Sequence, residues 1–334
     1  MAACWLPRHS SRSTSAATML SSTFSSETSA RSGSPACLGR FVAGFCATIL
    51  AFAAASEWLV RSEVLPHDTR AAHLRLLKTA DTPHAAFGDS HVARGFDAPE
   101  GMVNLAFPSE NIDVMIAKIA QYFEARPPGR IVLQADPHQF AAYRLDASSG
   151  FAAKERRAPG LQIAMPRHRV RLLAYWEAFL RDGGRLETRV DMTENGALLS
   201  SGDLSRTPSR KQALEARIRL SMHRPAGAGA VTETKGRFSA LVNDLSRRGA
   251  DLCLVTFPVS GPYRDAEGGQ HEALIDYFAD EAARVGATHV DARAMVLDPS
   301  FFRDVDHLNK AGAAWFTPRL ISRCFPDIVT SETE

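Results

Sequence analysis

The stretch that decides the fold is Asp251-Leu-Cys-Leu-Val-Thr-Phe257, a nearly continuous apolar run in the last third of the chain. A strand with one face in water alternates apolar and polar residues, whereas a continuously apolar strand is covered on both faces. Helical patterns precede and follow it, at Gly236–Arg248 and Gln270–Val285. The stretch therefore predicts a central strand of a parallel sheet with helices on both sides.

Strand and helix patterns also alternate farther from this stretch. The fold class that they predict is α/β: a three-layer α/β/α sandwich with about five parallel strands, behind one transmembrane helix. The predicted strands are His84–Phe87, Met102–Phe107, Arg130–Ala135, Asp251–Phe257 and Thr288–Asp291, and two further helices are Ile112–Phe123 and Lys310–Cys324.

Residues 141–235 interrupt this rhythm and are interpreted as an insertion at the rim of the sheet. They contain one clear helical pattern, Val170–Leu180. A structureless loop of this length is uncommon in a compact domain, so we expect other helices here too. The arginine-rich stretch Lys154–Arg171 is either a solvated surface or a patch that faces an anionic glycan or lipid headgroup.

The N-terminal part predicts a tail and a membrane anchor. Residues 1–37 are rich in Ser, Thr and Ala without apolar periodicity, which is typical of a disordered tail. The apolar run 41–60 follows, and a helix of about twenty residues at ~1.5 Å each covers roughly the 30 Å hydrocarbon core of a bilayer. We predict a transmembrane anchor at 38–60 and a charged, partly helical connector at 61–80.

Charge predicts the orientation of this anchor. Four arginines precede the apolar run, against a single acid, Glu27. Because basic residues favour the cytoplasmic side, the tail should be cytoplasmic and the domain periplasmic or extracellular. The small residues Ala53-Ala-Ala-Ser56 leave a cleaved signal peptide as the alternative.

Composition restricts the function classes. The 334 residues are 45% hydrophobic and carry a net charge of +2, which fits a globular domain and argues against nucleic acid as a partner. There is no C-x-x-C pattern of a zinc ribbon, and we predict no metal and no cofactor. Cys253 and Cys324 permit a disulfide in an oxidising compartment, but spacing alone does not establish one.

Two polar motifs follow strands at what should be one edge of the sheet. Phe87-Gly-Asp-Ser90 follows the first predicted strand and Asp304-Val-Asp-His307 follows the fifth. Ligands bind beyond the carboxyl ends of parallel strands, so we expect the two motifs to meet. Acyl-transfer chemistry needs a nucleophile, a base and an orienting carboxylate, and Ser90, His307 and Asp304 could supply them in that order.

Together with Asn104-Leu-Ala106, these motifs resemble the SGNH (GDSL-type) hydrolase superfamily over roughly residues 81–325. The resemblance implies a flavodoxin-like SGNH topology for a domain at 81–326, with a C-terminal tail at 327–334. It also implies that Ser90 is the nucleophile, with its own backbone N–H as one oxyanion donor. An anchored domain of this kind is similar to bacterial envelope proteins that move acyl groups onto or off polysaccharides.

The residues expected to support the oxyanion depart from the family pattern. Ala106 stands where the family usually has Gly, but its backbone N–H remains able to donate, and Asn104 would support this loop. The third strand ends in Gln134-Ala-Asp136, where the family usually has Gly-x-Asn-Asp. An ionised Asp136 cannot donate a hydrogen bond. Either Asp136 is protonated, or Gln134 or another group substitutes, or the rate is low.

The expected function is serine-dependent acyl transfer at oxygen, as an O-acetyltransferase or esterase acting on an envelope polysaccharide or similar acylated glycan. A membrane-bound acyl-donor protein is a further expected partner. Two alternatives stay open: a catalytically weak glycan-binding component of a membrane assembly, and a metal-dependent phosphoesterase. We expect Asp306 to be a solvent-facing cap and Asp89 to accept backbone N–H bonds in its turn. The alternative metal ligands are Asp89, His91, Asp136, His138 and His307.

Overall fold

The computed structural model describes residues 35–65, 68–145, 165–182 and 192–329, so most of the predicted tail lies outside the described residues. The chain divides into two compact units between Ala53 and Ala54. Helix α1 spans Pro35–Leu59 and continues into a π-helical turn, Val60–Val64. The segment Leu38–Val64, which includes most of α1 and this turn, is long and apolar enough to cross a membrane, as predicted for 38–60.

The second unit contains a sheet of five parallel strands in the order β2-β1-β3-β4-β5. Helices cover both of its faces, which confirms the predicted fold class. The order changes direction at β1, and such a switch point opens a crevice at the carboxyl ends of β1 and β3. The strands are β1 His84–Phe87, β2 Met102–Asn104, β3 Arg130–Gln134, β4 Asp251–Thr256 and β5 Thr288–Asp291.

The helices follow the predicted order, with additions in the region interpreted as an insertion. The described part of that region contains helices at Met165–Asp182 and Ser209–His223, and the helix predicted at Gly236 already begins at Ala228. The last described helix, Pro326–Val329, overlaps the predicted C-terminal tail at 327–334. The helices after α1 are α2 Thr69–Thr79, α3 Ser90–Gly95, α4 Ile112–Tyr122, α5 Met165–Asp182, α6 Ser209–His223, α7 Ala228–Arg247, α8 Gly261–Glu267, α9 Glu272–Val285, α10 Lys310–Cys324 and α11 Pro326–Val329.

Strand β4 shows why the deciding stretch is continuously apolar. Leu252 and Leu254 point into a core shared with α2, α4, α7 and α9. Cys253 and Val255 point to the other face, into a core shared with α3, α6, α8 and α10. Successive side chains of a strand alternate between faces, so covering both faces requires apolar residues at every position.

Strand β2 ends at Asn104, earlier than predicted, although hydrogen bonds to β1 continue beyond it. The Leu105 N–H donates to Ala86 at 2.8 Å and the Phe107 N–H donates to Gly88 at 3.2 Å. Between them, Asn104 Oδ1 accepts from the Ala106 N–H at 3.0 Å. The segment after Asn104 therefore stays beside β1 as far as Phe107 without forming a regular strand.

The predicted connector is packed onto the sheet through its helix, α2. Asp68 caps this helix by accepting from the Ala71 N–H at 2.7 Å, a common way to satisfy a helix N-terminus. On the opposite face of the helix, Leu77 is buried in the core beside β1 and α4. Contacts of the compact unit thus begin before residue 81.

A disulfide between Cys253 of β4 and Cys324 of α10 ties the sheet to the C-terminal helix. Both cysteines are buried in the same core. Closing a loop of this length stabilises a protein typically by about 2–4 kcal/mol. Reduction, or a Cys253→Ala/Cys324→Ala variant, should therefore lower the urea midpoint of the intact chain in detergent. Cys46→Ser, at an exposed free cysteine, is the matched control, and an unchanged midpoint on reduction would contradict this prediction.

Candidate active site

A tight turn of Gly88 and Asp89 connects β1 to α3, and Ser90 is the first residue of that helix. A Cβ atom on Gly88 would come within 2.4 Å of Val92 and 2.5 Å of Gln134, so only glycine fits where the turn approaches β3. Asp89 accepts from the His91 N–H at 2.9 Å, which caps α3 and confirms the predicted structural role of Asp89. The turn thus presents a half-buried serine at the carboxyl edge of the sheet.

His307 and Asp304 reach this serine from the loop after β5. His307 Nε2 lies 2.9 Å from Ser90 Oγ, and His307 Nδ1 lies 2.8 Å from Asp304 Oδ1. In neutral His307 the proton belongs on Nδ1, facing the carboxylate, which leaves the Nε2 lone pair for the serine hydroxyl proton. The structure therefore brings the three predicted residues together in the order that serine chemistry uses.

Asn309 fixes the loop that carries the histidine. Its amide Nδ2 donates to the carbonyl oxygens of Ser300 at 2.6 Å and Gly202 at 2.8 Å. Its Oδ1 accepts from the Gly312 N–H at 2.9 Å and caps α10. A Cβ on Gly312 would lie 2.1 Å from the Phe301 carbonyl oxygen, so this close packing also requires glycine.

Asp306 is buried, and the expectation that it faces solvent is wrong. Only 1% of its surface is exposed, because the helix α6 of the inserted region covers it. Its carboxylate lies 3.3 Å from His307 Nδ1 and 3.6 Å from His91 Nε2. It is also 3.3 Å from Arg219 Nε and 3.8 Å from His223 Nε2, both on α6. His307 thus has two carboxylates at the same ring nitrogen.

These carboxylates set the basicity of His307. Burial by itself lowers the pKa of the imidazole, but the charge of Asp306 and the hydrogen bonds that the ring donates to Asp304 and Asp306 outweigh it. The resulting pKa is about 9. His307 is therefore a stronger base than free histidine, and a smaller fraction of it is unprotonated at neutral pH.

His91, the residue after the serine, is a buried cation. Its Nδ1 lies 2.9 Å from Asp136 Oδ2, and its Nε2 faces Asp306. Burial opposes the charge, but Asp136 and Asp306 overcome this effect and raise the pKa of His91 to about 10. The Nδ1–H thus donates a hydrogen bond to Asp136, while Nε2 faces the Asp306 carboxylate at the longer distance of 3.6 Å.

The raised pKa of His91 predicts how stability depends on pH. An unfolded histidine has a pKa of about 6.5, so the stabilisation from charged His91 is complete below that value and is lost as pH rises through about 10. The melting temperature should therefore fall between these values. His91→Gln should flatten the slope, and His9→Gln, at a histidine outside the described residues, is the control. A wild-type melting temperature constant from pH 6.5 to 10 would contradict this prediction.

Asp136 and Gln134 are engaged in hydrogen bonds behind the serine turn. Asp136 accepts from the Phe257 N–H at 2.8 Å, from His91 and from Gln134 Nε2 at 2.5 Å. Gln134 Nε2 also donates to Asp89 Oδ1 at 2.9 Å. With three donors directed at it, Asp136 acts as an acceptor, and both amide protons of Gln134 face carboxylates.

The polar groups of Asn104, at the end of β2, are also hydrogen-bonded within the protein. Asn104 Nδ2 donates to the carbonyl oxygens of Val92 at 3.0 Å and Phe96 at 2.7 Å, while its Oδ1 holds the Ala106 N–H. Asn104 thus joins α3 to the end of β2, and its Oδ1 holds the Ala106 N–H that was predicted as an oxyanion donor. The Ser90 N–H, by contrast, has no hydrogen-bond acceptor within the described ranges. It is the predicted oxyanion donor that stays available.

A second group of polar residues surrounds Asp89, and one of them, Arg144, was missed from the sequence. Arg144 Nη2 and His138 Nε2 each lie 2.7 Å from Asp89 Oδ2. Burial raises the pKa of Asp89, but the charges of Arg144 and His138 outweigh it and hold the pKa well below its usual range. Arg144 follows Asp136 on the loop after β3, and that position is the one sequence signal for it.

The alternative of a metal site has partial geometric support. Potential ligand atoms of Asp89, His91 and His138 lie within 4.8 Å of one another, as do those of His91, Asp306 and His307. His91 belongs to both groups, yet each of its ring nitrogens faces a separate carboxylate. A shared network of His–Asp protons accounts for these contacts without a lone pair aimed at a common centre.

No protein-family model matches this sequence. No curated protein is significantly similar to it either. The functional interpretation therefore depends on the geometry of the site.

Proposed function

We propose that this chain is a serine-dependent enzyme of the SGNH (GDSL) type that transfers acyl groups at oxygen, as an O-acetyltransferase or an esterase. The observation that carries this proposal is the continuous path from Ser90 Oγ to His307 at 2.9 Å and from His307 to Asp304 at 2.8 Å. A serine, an imidazole and a carboxylate in this order are the working parts of acyl transfer on several unrelated folds.

The reaction would proceed in two balanced steps. Ser90 Oγ attacks the acyl carbonyl carbon while its proton passes to His307 Nε2, and the imidazolium then returns that proton to the leaving alcohol oxygen. In the second step His307 deprotonates water or a sugar hydroxyl, whose oxygen attacks the acyl-Ser90 carbonyl. The bond from that carbon to Ser90 Oγ then breaks, and the imidazolium returns the proton to Ser90 Oγ. Asp304 holds the imidazole tautomer and stabilises the imidazolium, while the Ser90 N–H donates to the oxyanion.

The proposed location is the periplasmic or extracellular side of a membrane. A candidate span precedes the domain, and arginines dominate the sequence before it. The Cys253–Cys324 disulfide supports the same side, because disulfides persist mainly in oxidising compartments. An acyl-bearing or acyl-accepting envelope polysaccharide is then the substrate within reach, with a membrane protein as a source of acyl groups.

One observation favours a second candidate, a catalytically weak domain that binds glycan. The donors expected beside the Ser90 N–H are engaged elsewhere: Ala106 with Asn104, and Gln134 with two carboxylates. Loss of one oxyanion donor typically lowers kcat by about 10²–10³. A site with one free donor would turn over slowly unless the substrate itself rearranges these contacts.

Trapping the acyl intermediate tests the proposal. The intact chain in detergent is incubated with p-nitrophenyl acetate, and peptides are analysed by mass spectrometry with and without a chelator. We expect an acetyl group on the peptide containing Ser90, absent in Ser90→Ala and insensitive to the chelator. Glycan binding without any adduct would favour the second candidate. Phosphate-ester cleavage that the chelator abolishes would instead support a metal-dependent phosphoesterase and overturn the proposal.

A further inference from the structure

Helix α5 packs on the end of the candidate membrane span. Leu172 is buried against Val60 and Val64, and Tyr175 is half-buried in the same small cluster. Val64 is also the last residue of the segment that is long and apolar enough to cross a bilayer. One side of α5 is therefore fixed at the point where the chain would leave the membrane.

A neighbouring side of α5 is apolar and exposed. The exposed fractions are 70% for Val170, 67% for Leu173, 42% for Trp176 and 83% for Leu180. Residues spaced by three and four positions share one face of a helix, so these four form a continuous stripe. A contiguous exposed apolar surface usually marks an interaction site.

The composition of α5 indicates which partner this stripe suits. The helix sequence contains four arginines against one glutamate and one aspartate. Interfacial membrane helices combine an apolar face with excess basic charge, which is attracted to anionic lipid headgroups. Tryptophan is also enriched at the boundary between headgroups and acyl chains, and a second one, Trp58, is 66% exposed just before Val60.

We propose that α5 is an in-plane membrane helix, whose stripe of Val170, Leu173, Trp176 and Leu180 inserts into the headgroup–acyl boundary of the bilayer that the span crosses. Lipid is the partner that this stripe contacts, because α5 packs against Val60 and Val64, where the chain would leave the membrane. The chain would thus contact the membrane at two places, the span and this helix.

Fluorescence quenching by lipid tests this proposal in the intact chain. The protein is reconstituted into phosphatidylcholine vesicles containing some phosphatidylglycerol, with or without bromine at a shallow acyl position. The contribution of Trp176 is the difference between wild type and Trp176→Phe, which leaves the other three tryptophans unchanged. We expect brominated lipid to lower this contribution at least about twofold, as it would for a residue at the interface.

Two variants test whether the apolar stripe of α5 is the surface that contacts lipid. Leu173→Glu/Leu180→Glu should abolish the quenching of Trp176 by lipid, whereas Leu214→Glu, at an exposed leucine of α6, should leave it intact. Quenching by aqueous iodide but not by brominated lipid would overturn the proposal in favour of a solvated helix. Shielding from both quenchers, relieved when the protein is diluted over more vesicles, would overturn it in favour of contact with a second copy.

Discussion

Replacing Ser90 with alanine is expected to reduce acyl-ester turnover by at least about 10³-fold, since loss of a nucleophile removes the covalent route entirely. Ser90 Oγ is the group hydrogen-bonded to His307 Nε2. The substitution removes one hydroxyl from a half-buried position and leaves the capping contact of Asp89 with the His91 N–H in place. The fold should therefore survive, with an unchanged melting temperature.

The assay compares initial rates of p-nitrophenyl acetate hydrolysis by wild type and Ser90→Ala, each corrected for spontaneous hydrolysis. Ser322→Ala is the matched control, because this serine is exposed on α10 and donates only to the Arg319 carbonyl within the described part of the chain. Wild-type rates in Ser90→Ala would remove Ser90 from the mechanism, whatever the integrity of the fold.

Asp304→Asn should have the second-largest effect, a fall in kcat of about 10²–10⁴ at fixed pH. An asparagine can present its NH₂ group to His307 Nδ1, which favours the tautomer with its proton on Nε2 and leaves no lone pair for the serine. Asp304 also accepts from the His307 N–H at 3.0 Å, a contact that the asparagine oxygen can keep. Little loss in this variant, together with a large loss in Asp306→Asn, would assign the orienting role to Asp306.

Asp306→Asn should act mainly on the pH profile. His307 accepts the serine proton only when it is unprotonated, so kcat/KM of the wild type should rise with pH towards the pKa of about 9. Asp306 is the largest of the influences that raise this pKa. Removing its charge should move the acidic limb to lower pH, while the rate on the plateau changes far less than in Asp304→Asn. If the acidic limb of the kcat/KM profile stays at the wild-type pH in Asp306→Asn, the assignment of the raised pKa to Asp306 is contradicted.

The sequence predicted the sheet well because each strand is short, apolar and bounded by turn residues. β1 and β5 have the predicted bounds, and β4 ends one residue earlier than predicted. The largest error in a strand is at β2, which ends at Asn104 instead of Phe107. There the Asn104 side chain accepts from the Ala106 N–H, a local contact that the periodicity of the sequence does not indicate.

The site was predictable where it depends on sheet topology and obscure where it depends on the inserted region. Ser90 and His307 meet because both follow parallel strands at the same edge. Asp306 is buried because helix α6, which carries Arg219, packs over it. The spacing of residues in the sequence does not indicate where α6 packs. The hydrogen bonds of Gln134 were equally unpredictable from the sequence, because its partners are carboxylates distant in sequence or on the next turn.

The wide separation of the serine and its base along the chain has a consequence for biosynthesis. Ser90 leaves the ribosome before His307, which lies 217 residues later in the sequence. A nascent polypeptide halted anywhere between them would hold a serine without a base to activate it. The proposed reactivity towards esters would then require that His307 has been synthesised and has folded against the serine.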